Sequence, residues 1–78
     1  MYRINFYENG VFCSQIGGEI QLLTEALQQL RALTKGLRAV EADDIVALKF
    51  DRGGTTCALV LVDALNQPIR NVNYKKED

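Results

Sequence analysis

A chain of 78 residues has room for one domain, and at this size folding buries only about 60 to 65% of the surface that the unfolded chain exposes. Apolar residues make up 47% and charged residues 24%, a globular balance that excludes a disordered tail. Nine Lys and Arg against ten Asp and Glu leave a net charge of -1, which excludes the global positive field of nonspecific nucleic-acid binding, and the absence of histidine excludes Ser-His and Cys-His nucleophile pairs and His-ligated zinc.

No apolar run approaches the 18 or so residues of a membrane span, and Met1, Tyr2 and Arg3 do not open a signal peptide, so the cytoplasm is the expected compartment. Cys13 and Cys57 are too few for a disulfide framework. Both are expected to be reduced, with a single bridge between them as the alternative.

Along the chain, Tyr2, Ile4 and Phe6 alternate with Arg3, Asn5 and Tyr7, the period-two pattern of a strand with one buried face. Asn9 and Gly10 turn the chain into a second strand. A two-residue type I′ loop would place Phe6 opposite Cys13 and Ile4 opposite Gln15, burying a glutamine. A three-residue loop with Gly10 in a bulge puts Tyr2, Ile4, Phe6, Phe12 and Ile16 on one face, interrupted only by Ser14, and is the expected form because register follows the apolar pattern. The hairpin is assigned to residues 1–16.

Gly17 and Gly18 are read as the end of that strand, with a helix over residues 19–36 closed by Gly36. Ile20, Leu23, Leu27, Leu30 and Leu37 recur at helical spacing, and Leu22, Ala26 and Leu33 widen the stripe beyond what one sheet face needs. A connection ending in acids then leads to a three-stranded antiparallel segment over residues 44–74. There, Gly53 and Gly54 form a two-residue turn that pairs Phe50 with Cys57, Leu48 with Leu59 and Val46 with Leu61. Asn66 and Pro68 mark a further turn, residues 69–74 a last strand, and residues 75–78 a polar tail.

These elements predict an α+β, two-layer ββαβββ domain: one antiparallel sheet with a single helix packed on one face. If the helix returns the chain beside the first strand, the five strands, numbered along the chain, lie in the order 2-1-3-4-5.

Chemistry is sparse. Glu41, Asp43, Asp44 and Asp63 form a carboxylate cluster in which Asp44 lies opposite Asp63, but the spacing is not that of a calcium loop and strand-end acids diverge into water. Gly17 and Gly18 lack the pattern of a phosphate loop, and Glu19 would repel an anion there. Neither cysteine has a basic neighbour to lower its pKa. No catalytic, cofactor-binding or metal-binding residue is therefore assigned, and no cofactor is expected.

The feature with most functional content is the reverse face of the second hairpin, where Ile45, Ala47, Val60 and Val62 form an apolar patch that a single helix cannot cover as well as the other face. Tyr7, Arg3 and Lys49 are its expected polar rim. The expectation is a small non-enzymatic protein-binding module, an inhibitor, adaptor or dimeric accessory protein, acting through the helix-free sheet face or as a homodimer. In architecture alone, a strand hairpin followed by a helix resembles small standalone bacterial and phage proteins. The alternatives are a nucleic-acid-binding protein using Arg3, Tyr7 and Lys49, and a cation-binding protein built on Asp44 and Asp63.

Overall fold

The computed structural model describes residues 1–71 and has the expected α+β, two-layer ββαβββ class, one five-stranded antiparallel sheet with one helix. The elements are β1 (Tyr2–Glu8), β2 (Val11–Ile20), α1 (Leu23–Leu33), β3 (Val40–Glu41), β4 (Ala47–Arg52) and β5 (Thr55–Asp63). The order across the sheet is β2-β1-β5-β4-β3, which corrects the expected one: the expected third and fourth strands are β4 and β5, it is β5 that lies beside β1, and the edge strand β3 forms in the expected connection. The chain does not return beside β1 after the helix. It crosses to the far edge, forms β3 there, and works back through β4 until β5 pairs with β1 from Tyr2↔Asp63 to Glu8↔Cys57.

Composition explains why β5 is central. Leu59 and Leu61 face one way and Val60 and Val62 the other, and all four are buried. A strand apolar on both faces is most stable where both are covered, whereas β4, with Lys49, Asp51 and Arg52, tolerates a place nearer the edge.

Both hairpins turn on two-residue loops with positive φ at each position: Asn9 (49°) and Gly10 (81°), then Gly53 (58°) and Gly54 (84°). This is the type I′ form, whose twist matches that of the flanking strands. In the second hairpin the register runs as expected, with Phe50↔Cys57 and Leu48↔Leu59. In the first, the expected three-residue loop is replaced by a tight turn with a bulge displaced into β2. Tyr7 pairs with Phe12, and the register then slips so that Phe6 meets Ser14 and Ile4 meets Ile16. The slip keeps Ile16 on the helix side without burying Gln15. It also moves Phe12 off the core face, where it was expected, to the helix-free face, edge-on to Tyr7 with ring centroids 5.8 Å apart.

Gly17 and Gly18 do not end β2. The register shifts again between Ile4↔Ile16 and Tyr2↔Ile20, and Gly17, at φ 72°, supplies the left-handed step. Glycine inside a strand marks a bulge as readily as a stop. The helix therefore begins at Leu23, not residue 19, because Ile20 is held in the sheet as a buried partner of Tyr2. Its N-cap is Leu22, which offers no side-chain acceptor, and Leu22 is 63% exposed. Leu23, Ala26, Leu27 and Leu30 face the sheet at i, i+3, i+4 and i+7. Ala26, Leu27 and Leu30 join Ile4, Ile20, Val46, Leu59 and Leu61 in the main core.

The last expected strand, residues 69–74, is also revised. Residues 72–74 and the expected tail, residues 75–78, lie outside the described residues. Within them, Pro68 bridges Val62 and Arg70 bridges Ile45, and the Ile69 N–H donates to the Leu61 carbonyl while the Ile69 carbonyl accepts from Val46. The segment thus wedges between the ends of β4 and β5 instead of lengthening the sheet at its edge.

Candidate functional site

On the helix-free face the side chains stand in rows set by register. Tyr7, Ala58 and Lys49 form one row across β1, β5 and β4; Asn5, Val60 and Ala47 form the next; Arg3 and Val62 begin a third. The patch expected at this face divides along these rows. Val62 is fully buried, and Ala47 and Val60 are buried with it in a second, smaller core that Ala42, Ile45, Ala58 and Tyr7 pack against. Ala47 and Val62 are thus enclosed within the fold and not available as contact surface, whereas Val60 keeps an edge on the open part of this face.

Ala42 and Ile45 pack against this cluster, and residues 63–68 cover the side of it next to β1. The Asp63 carboxylate accepts from the Leu65 and Gln67 backbone N–H groups at 2.9 and 3.0 Å, winding the loop on itself. Asn66, in the left-handed region at φ 63°, then receives a 2.9 Å hydrogen bond at Oδ1 from Nδ2 of Asn5, which is only 2% exposed. An amide on the middle of β1 thereby ties the loop across the face. The Arg3 guanidinium is held nearby, donating to the Asp63 and Ala64 carbonyls.

Beyond this loop the face opens. A groove of 340 Å³ runs over Ala58 and Val60, with Tyr7 on one side and Lys49 and Ile45 on the other; Gly10 and Thr56 lie at one end and Pro68 at the opposite end. Its physical cause is the small side chain of Ala58 between two long ones on neighbouring strands. Of the expected site residues, Tyr7, Ile45 and Lys49 come together here with the edge of Val60. Arg3 does not join them: it lies four positions along β1 from Tyr7, about 13 Å at 3.3 Å per residue. Ala58 and Pro68 were not assigned to the site. Ala58 carried a readable signal, an alanine within an otherwise large-residue strand, whereas the placing of Pro68 depends on the path of the loop.

The other candidates separate. The expected Asp44 and Asp63 pair is not formed, because β4 begins only at Ala47, the Asp44 carbonyl accepts from the Asn71 N–H, and the Asp63 side chain is engaged in its own loop. Among the described residues no group of three His, Cys, Asp or Glu side chains is placed to hold a metal ion. Cys13 is exposed, Cys57 is buried, and both are free thiols. The wide helix stripe leaves Leu33 and Leu37 exposed beside Phe6, Ile16 and Phe50, around a hollow of 240 Å³ where the Arg52 guanidinium lies 5.7 Å from the Phe6 ring centre. Among the described residues no helix is long and apolar enough to cross a membrane.

Comparison with protein-family models, with curated proteins and with solved structures returns no match to the chain.

Proposed function

We propose that the chain is a non-enzymatic protein-binding module, an inhibitor, adaptor or accessory subunit, whose contact surface is the open half of the helix-free sheet face. The observation that carries this reading is the groove over Ala58, apolar along its floor and bordered by Tyr7 and Lys49. Aromatic and cationic borders around an apolar floor are the composition of a protein contact surface, where an aromatic ring gives area at low entropic cost.

Phe12 extends the surface toward the β2 edge, being 53% exposed against Tyr7. The nucleic-acid reading loses support because Arg3 is spent on the loop carbonyls, leaving Tyr7 and Lys49 as its only members at the groove.

The test is site-specific photo-crosslinking in a lysate of the source cells, with a benzophenone amino acid in place of Tyr7 and, as a control, in place of the exposed helix residue Gln28. A protease-sensitive adduct from position 7 and not from 28 is the expected result. Equal adducts from both, or none from either, would end the proposal.

A further inference from the structure

We infer that the groove takes an extended segment of about four residues from a protein partner, apolar at its centre and carrying a carboxylate beside Lys49; this rests on the protein-binding reading above. Length comes first. The groove follows β5 from Thr56 to Val60, which at 3.3 Å per residue is about 13 Å, the span of about four extended residues.

A second copy of the chain fits less well. The groove with the flanking strands out to Phe12 and Val40 offers about 250 to 300 Å² from strand spacing and rise, against roughly 800 Å² per partner in a standard interface. The long sheet edge adds little, since register shifts interrupt β2 on either side of Ser14, Gln15 and Ile16 and leave no extended regular run for strand addition.

Charge gives the chemistry of the occupant. Lys49 lines the groove, is exposed, and among the described residues makes no ion pair. Asp51, two positions along the same face, accepts from the Thr56 hydroxyl at 3.4 Å. Among the described residues that line the groove, Lys49 is the one that carries a charge, although the chain as a whole carries a charge of -1. A neutral or basic apolar segment would leave Lys49 unanswered, and an acidic one completes it.

Two capped hexapeptides test this by titration into the ¹⁵N-labelled full chain: Gly-Glu-Leu-Phe-Glu-Gly and its lysine counterpart, Gly-Lys-Leu-Phe-Lys-Gly. The acidic peptide should shift the Tyr7, Lys49 and Ala58 amides with about fivefold tighter binding, the size of an exposed ion pair. Lys49→Gln should abolish that preference, and Ala58→Leu should remove binding of both peptides while the spectrum stays dispersed. Equal binding, a preference for the basic peptide, or no shift by either overturns the inference. So do groove shifts produced by a decathymidylate and by neither peptide, which would assign the surface to single-stranded nucleic acid. If photo-crosslinking at position 7 still captures a partner when the peptides fail, only the chemistry of the occupant falls; if crosslinking also fails, the protein-binding reading falls with it.

Discussion

On one face of the sheet an 11-residue helix seals Ile4, Leu59 and Leu61 with a stripe of Ala26, Leu27 and Leu30. On the other, Val62 is sealed by residues 63–68 together with Ala42 and Ile45, and the cover thins at Val60 and stops at Ala58. The first seal is apolar packing, spread over many contacts and tolerant of small losses. The second is fastened by polar groups, the Asn5 to Asn66 amide bond and the Asp63 carboxylate, so a few hydrogen bonds decide whether an apolar surface is hidden. Two kinds of cover on one sheet give two kinds of surface: a closed core on the helix side and a half-closed one where a partner can reach the strands.

The hardest blow to this comparison is Val62→Asp. If the helix-free side is a true core, a buried carboxylate at a fully enclosed position costs more than about 4 kcal/mol and the chain fails to fold, seen as loss of the cooperative urea transition. A folded Val62→Asp protein would mean that the loop is not a cover at all. Asn5→Ala comes next. Losing the fastening should lower stability by about 1 to 2 kcal/mol in urea denaturation, and hydrogen exchange should quicken at residues 63–68 while α1 keeps its protection. Equal acceleration at both would make the two seals one cooperative unit. The smallest effect is expected from Ala58→Leu, which fills open space and should change stability by less than about 1 kcal/mol. A loss comparable to that at Val62 would show Ala58 to be packed tightly, with no groove above it.

The sequence was most legible where pattern and turn agreed. Gly53 and Gly54 with alternating Leu48, Phe50, Cys57 and Leu59 specified a register that the structure keeps. Strand order was harder, because alternation in β4 and β5 says which face is apolar and not which neighbour lies beside it. The decisive signal, apolar residues on both faces of β5, was present at Val60 and Val62 and was read as exposed surface instead of as a central position. Gly17 and Gly18 misled for a related reason: glycine permits a bulge and a stop equally, and the choice fell to Ile20, whose burial against the core keeps the strand going. At the site, Tyr7, Lys49 and Ile45 were readable from their shared face. The covering of Ala47 and Val62 was not, since it depends on Ala42 and Ile45 folding over them and on Asn66 and Asp63 directing a loop back over the sheet, paths that periodicity does not encode.

The pairing of β1 with β5 has a consequence for synthesis. β1 is synthesised well before β5, and their ladder, from Tyr2↔Asp63 to Glu8↔Cys57, joins segments about fifty residues apart. Until β5 emerges, β1 has only β2 beside it, and a lone hairpin is marginal in water. Between the synthesis of β2 and that of β5 the hairpin therefore has no stable sheet to join, and folding should set in as one event, when Cys57, Leu59 and Leu61 arrive to meet Phe6 and Ile4. Pairings so distant in sequence also favour slow folding, toward the millisecond-to-second range of domains dominated by non-local contacts.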